Sequence, residues 1–203
     1  MKKCTLFGIV LLAFAACNST PESKMDALIR EAVERTLYDP KSYEVIQTEI
    51  DSSFSIIDFP DFWEKAAEYN SLLRRVSNLE DEVRREKCRM KSFQELSHAY
   101  YEEAQGEYEK AVKKFENIKK KAKKVEEEIR EMKEQIDQMK GYKVYHHYRS
   151  ILEHDVVFII NADMTKIIAE YDPDDYFYKR KKKVAEEIYE LLFEDGVWLD
   201  DSY

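Results

Sequence analysis

Glycine is nearly absent: Gly8, Gly106, Gly141 and Gly196 are the only four in 203 residues, against a usual ~7%. A set so dispersed cannot form the turn that brings backbone amides against a phosphate, which excludes dinucleotide fingerprints and P-loops. Cysteine is scarce as well. Cys4, Cys17 and Cys88 contain no C-x-x-C pair and no thiolate cluster for zinc, and Cys88 falls in a charged helical stretch where a surface thiol is expected. The histidines, His98, His146, His147 and His154, include no H-E-x-x-H or His/Cys spacing that would converge on a metal. A G-x-S-x-G elbow is missing too. After residue 17 the longest apolar run covers residues 156–160, far too short to span hydrocarbon. The acids outnumber the bases, 42 to 33, for a formal net charge of −9. That balance argues against a nucleic-acid partner and against attachment to anionic lipid by charge. No metal or cofactor is expected.

What the chain does have begins at its N-terminus. Lys2 and Lys3 precede a mostly apolar stretch, residues 5–16, that ends in Phe14-Ala15-Ala16-Cys17 before the polar Asn18-Ser19-Thr20-Pro21. Length and flanks match the h-region of a secretion signal and are too short for a transmembrane helix. The ending resembles a bacterial lipobox, with Phe14 where that motif usually has Leu. The resemblance implies cleavage after residue 16 and acylation of Cys17. Its acyl chains would anchor the protein in a membrane, each buried methylene contributing ~0.8 kcal/mol.

Proline and periodicity divide the rest. Thr20-Pro21-Glu22 reads as an N-cap, a first-turn proline and a dipole-matched acid. A helix then places Met25, Leu28, Ile29, Ala32, Val33 and Leu37 on one face, and Asp39-Pro40 stops it. Residues 43–50 alternate and read as a strand. Asp58-Phe59-Pro60-Asp61 opens about 80 residues of helix former without a proline. The first apolar seam is Tyr69, Leu72, Val76, Leu79 and Val83, interrupted by Glu86 before Met90 and Phe93. The second runs Ala104, Tyr108, Ala111, Phe115, Ile118, Ala122, Val125, Ile129, Met132, Ile136 and Met139, in alternating steps of four and three. The two differ in phase, and the slip falls at residues 97–104, near the midpoint. An antiparallel hairpin turning there is expected, with Phe93 near Tyr108, Leu79 near residues 118–125, and Glu86 facing the second arm near Phe115, where its burial is unfavourable unless Lys113 or Lys114 pairs with it. After Gly141 the period becomes two, and residues 142–151, 154–161 and 166–171 read as strands, with a tight turn at Asn161-Ala162-Asp163. Asp172-Pro173-Asp174-Asp175 caps a last helix burying Phe177, Val184, Ile188, Leu191 and Leu192, and Gly196 closes it.

The expected fold class is α+β: a small antiparallel sheet with two packing helices and an inserted long antiparallel helical hairpin, or coiled coil. Residues 1–16 form the signal peptide, 17–58 and 142–203 the globular part, and 59–141 the hairpin. Removing the hairpin is expected to leave the globular part able to fold.

Few residues suggest chemistry. Tyr145, His147 and Arg149 share one face of a strand and form a candidate polar site. The acids Asp172, Asp174 and Asp175 are accounted for by helix capping, while Asp195, Asp200 and Asp201 lack the spacing of a calcium loop. The lysine runs at 119–124 and 179–183 are followed by Glu126-Glu127-Glu128 and Glu186-Glu187, as in solvated helix faces.

The run Leu37-Tyr38-Asp39-Pro40-Lys41-Ser42-Tyr43-Glu44 and the stretch at residues 157–172 resemble small lipoproteins of Bacteroidetes bacteria. That resemblance covers roughly half of the chain beyond the leader, excludes the hairpin, and brings no activity with it. It implies an outer-membrane lipoprotein. Only one acid, Glu22, closely follows Cys17, which under the same resemblance implies a periplasm-facing position. The expected function is a lipid-anchored, non-enzymatic envelope protein of interaction or spacer type, with the hairpin as its interaction element and a protein partner. The alternative is a periplasmic small-ligand binder or enzyme using the sheet face around Tyr145, His147 and Arg149.

Overall fold

A computed structural model describes residues 20–94 and 96–194. The leader, Cys17, Gly196 and the acids at 195, 200 and 201 lie outside the described residues. Helix α1 (Pro21–Thr36) starts as the sequence indicates, with Thr20 Oγ1 accepting the Ser23 N–H at 3.3 Å. It stops earlier than its expected breaker. Thr36 turns its hydroxyl onto the Val33 carbonyl, and Leu37 is already extended. Asp39-Pro40 instead opens a separate 3₁₀ turn, Pro40–Ser42, with Asp39 accepting the Lys41 N–H. Strand β1 (Glu44–Asp51) follows, then the long helices α2 (Pro60–Phe93) and α3 (His98–Asp137). Strands β2 (Gly141–Arg149), β3 (Glu153–Asn161) and β4 (Ile167–Tyr171) lead to α4 (Tyr176–Tyr189), which runs into a π-helical turn, Glu190–Glu194.

The four strands form one antiparallel sheet in the order β1-β2-β3-β4. The first pairing spans the whole helical hairpin, since Ile50 lies opposite Val144, and the others are local. The turn between β3 and β4 is wider than the three-residue one expected. Asn161 Oδ1 accepts from both the Thr165 and Lys166 amides, and Met164 takes a positive φ of 55°. The cap of α4 also moves. Asp175, not Asp172, accepts the Phe177 and Tyr178 amides, at 2.7 and 3.2 Å, so the helix begins beyond the aspartate run. Phe177, expected in the core, is exposed in that first turn, whereas Ala185, Ile188 and Leu192 are buried.

The sheet is covered on both faces. Strand alternation sends Val144, Tyr148, Phe158 and Ile160 to one side, where Met25, Ile29 and Val33 of α1 pack on them. It sends Val157, Ile159 and Tyr171 to the other, where they join α4 and the hairpin base. Trp63 anchors that second core: its ring meets Tyr171 edge-on at 4.9 Å, and its indole N–H donates to the Ile57 carbonyl at 2.6 Å. Burying a side chain of this size contributes roughly 2 kcal/mol. The same cluster extends up both arms through Ala66, Tyr69, Leu72 and Val76 on α2, and Ile118, Ala122, Val125 and Ile129 on α3. The lower half of the hairpin and the sheet therefore share one core, so the boundary drawn near residues 58 and 142 runs through packed side chains.

The chain reverses between Phe93 and His98, a few positions before the expected turn, and residues 98–104 are helical. That shift changes the register. Phe93 lies against Tyr100, ring centres 5.8 Å apart and the rings tilted, instead of near Tyr108. Lys114 reaches Glu82 at 3.4 Å, and Lys65 bonds Glu128. Glu86 pairs with Arg89 on its own helix at 3.5 Å, not with Lys113 or Lys114, and its Oε2 is buried without a hydrogen bond.

Candidate functional site

Strand β2 positions the candidate residues of the sheet. A period of two places Lys143, Tyr145, His147 and Arg149 on one face and Val144, His146 and Tyr148 on the other. Tyr145, His147 and Arg149 therefore do share a face. His147 and Arg149 each lie against acids of the neighbouring strands. His147 Nδ1 lies 2.9 Å from Asp155 and its Nε2 3.8 Å from Glu153; Arg149 donates to Glu153 at 2.6 Å and approaches Glu44 at 3.8 Å. The Arg149 hydrogen bond holds the Glu153 carboxyl below the ordinary range. Lys143, at the covered end of the row, is bonded to the buried Asp58 at 2.7 Å, and its ammonium lies 5.2 Å from the Tyr145 ring. Beside them Gln47, Glu49 and Asp155 line a shallow depression of about 220 Å³. This is a row of mutually satisfied polar and charged side chains on a half-exposed face.

The opposite face holds a deeper feature. Helix α1 lays its apolar stripe over β2 and β3 and leaves a groove of about 550 Å³ along β1. Ile29, Val45, Ile46 and Ile50 give it an apolar lining, and Glu22 and Asp26 bring acids to it from α1. His146 also lines it, 3% exposed. Its Nε2 lies 2.8 Å from the Tyr43 hydroxyl and its Nδ1 2.9 Å from Thr48 Oγ1. A neutral imidazole carries one donor and one acceptor, and hydroxyls can match either, so both nitrogens are satisfied without charge. Burial pushes the His146 pKa below its ordinary value; Asp26 acts the other way and His147 adds to the depression. The ring stacks on Tyr148, with centres 5.6 Å apart, and Arg30 lies over the Tyr43 ring at 5.0 Å. Such an imidazole braces the start of β1 against β2; a depressed pKa and no hydrogen-bonded carboxylate leave it a weak base.

Sequence reasoning singled out only the Tyr145, His147 and Arg149 face of this strand and passed over His146. The signal was there, because His146 alternates with Val144 and Tyr148, both buried.

The hairpin carries the third feature. Its lower half is closed by the shared core and by a buried polar network: Glu126 accepts from the Tyr69 hydroxyl at 3.0 Å and from Arg130 at 2.9 Å. Burial and the adjacent carboxylate push the Tyr69 pKa upward. Above Val76 and Ile118 the packing changes. Among the described residues of that upper half only Ala104 and Ala111 are fully buried, and they let the arms approach closely. Val83, Tyr108, Val112 and Phe115 stay half-buried around a groove of about 410 Å³ between the arms. Val112 was not part of the heptad seam; it widens the apolar stripe by one position.

Among the described residues no three potential metal ligands cluster, and no helix is long and apolar enough to cross a membrane. Comparisons with protein-family models, curated proteins and solved structures give no match for this chain.

Proposed function

We propose that this chain is a lipid-anchored, non-enzymatic protein of the bacterial cell envelope, facing the periplasm, whose helical hairpin engages a protein partner. One observation carries the hairpin's part. Its arms continue past the last residues of the shared core, Val76 and Ile118, and the 77–93 segment of α2 alone reaches about 26 Å further at 1.5 Å per residue. Of that projecting half only Leu79 and Phe115 pack against the shared core, and it keeps a groove of half-buried Val83, Tyr108, Val112 and Phe115. Large apolar side chains left half-covered between two helices suit insertion of a third helix or a side-chain anchor. Support for the anchor comes from the sequence alone: the charged start, the short apolar run and Cys17.

Two substitutions separate the claims. Cys17→Ser should abolish acylation and leave either a released chain or an unprocessed precursor; a processed, membrane-bound Cys17→Ser protein would end the lipoprotein reading. A photo-reactive amino acid at Val112 should give one discrete protein adduct in intact cells, and the same group at the exposed Glu134 should not. Equal adducts at both positions, or none at Val112, would remove the hairpin from the interaction.

A further inference from the structure

We infer that the free edge of β1, with the groove between it and α1, binds an extended basic segment of a partner protein by strand addition. This surface is remote in sequence from the hairpin groove and does not depend on it. Strand β1 is outermost in the order β1-β2-β3-β4, so among the described residues only one of its edges is paired. Exposed edges in native sheets are usually blunted by charged side chains, above all lysine, by proline, by bulges or by short length. This one has eight residues, neither Lys nor Pro, and a single irregularity between Val45 and Gln47, which leaves 47–51 in regular register. Val45, Ile46 and Ile50 are 43–47% exposed, branched side chains suited to pairing with a strand. The groove of about 550 Å³ on the α1 side would receive alternate side chains of an added strand.

Charge decides the occupant. Glu44, Glu49 and Asp51 lie on β1, and Glu22 and Asp26 line the groove. Arg149 answers Glu44, at 3.8 Å, and Arg30 is engaged with Glu34 and the Tyr43 ring. No ion pair is formed by Glu22, Asp26, Glu49 or Asp51 among the described residues. A second copy fits badly. Antiparallel self-pairing about the strand centre sets Glu44 opposite Asp51 twice, and parallel pairing stacks each acid on itself, both unfavourable. Lys or Arg alternating with branched apolar residues meets both the charge and the groove.

The test uses the full chain in detergent and a fluorescent peptide, Lys-Val-Lys-Thr-Lys-Val-Lys-Thr, read by anisotropy. Binding should exceed that of the Glu-for-Lys peptide by at least about tenfold. Methylating alternate backbone nitrogens along one peptide edge should lower it by about tenfold, because strand addition needs those donors. Glu49→Lys should weaken binding to a similar degree; if that variant fails to fold, Glu22→Gln with Asp26→Asn should do so from the helix side. Undiminished binding of the methylated peptide would reduce the site to nonspecific charge and overturn strand addition. Concentration-dependent dimerisation abolished by Glu49→Lys would assign the edge to a second copy and overturn the proposal equally.

Discussion

His146 shows how much one side chain can carry here. It is held between the Tyr43 and Thr48 hydroxyls and stacked on Tyr148, so it links the start of β1 to the centre of the sheet. Burial depresses its pKa, and a depressed imidazole makes stability depend on pH with a definite sign. Above its ordinary value, 6.5, the ring is neutral folded or unfolded, and its contribution is fully present. As pH falls below that value the unfolded chain takes up the proton first, and stability drains away until the folded ring titrates too. Urea midpoints should therefore decline between pH 7.5 and 5.5 more steeply in the wild type than in His146→Gln, which keeps polar contacts and cannot titrate. Parallel slopes would show that His146 does not set the dependence. Glu126 is the other costly residue. A buried carboxylate needs both Tyr69 and Arg130, because losing one partner strands charge in the core.

Two glycines set the behaviour of their elements in opposite ways. Gly141 opens β2 against the end of β3, and a Cβ there would sit 2.1 Å from the Ile160 carbonyl oxygen, inside any tolerable contact. Backbone must move to accept it, so Gly141→Ala should cost roughly 2–3 kcal/mol, the range of other steric lesions in packed structure. Gly106 lies within α3 with nothing within 4 Å of such a Cβ. There Gly106→Ala should raise stability by about 0.5–1 kcal/mol, since helical glycine loses more chain entropy on folding. Equilibrium urea unfolding of both variants tests the pair; changes of the same sign would contradict it. The arms of the hairpin follow a related logic. Without proline or glycine at 94–97, the reversal is held by short-range bonds, Leu96 N–H to Phe93 O at 3.1 Å and Ser97 N–H to the same carbonyl at 3.3 Å.

For the molecule as a whole, the shared core reverses the outcome expected from sequence for a hairpin deletion. Removing residues 66–136 takes away Tyr69, Leu72, Val76, Ile118, Ala122, Val125 and Ile129, and uncovers Val157, Ile159 and Tyr171. That protein should lose its cooperative thermal transition. Removing only residues 80–113, with a short Gly/Ser loop joining arms 8–10 Å apart, spares every one of those contacts and should keep the transition. Calorimetry of the two deletions distinguishes the cases. Persistence of the transition in the larger deletion would show that the sheet, α1 and α4 suffice alone; its loss in the smaller would show that the upper arms stabilise the core.

The sequence by itself determined the α+β class, the order of elements, the hairpin and the shared face of Tyr145, His147 and Arg149. All four follow from regularities read along one chain: period two for strands, steps of three and four for helices, a phase slip for the reversal. Its exact place escaped because residues 94–97 hold no proline or glycine to mark a break, so only the phase slip at 97–104 pointed to it, while α3 already begins at His98. Only the tertiary structure decided that α1 covers the His146 face and stops short of β1, that Glu126 is buried beside Tyr69, and that the hairpin base completes the sheet's core. Alternation gives a strand two faces but not what will cover each. That depends on residues about a hundred positions away, brought together by the one pairing, β1 with β2, that spans the hairpin.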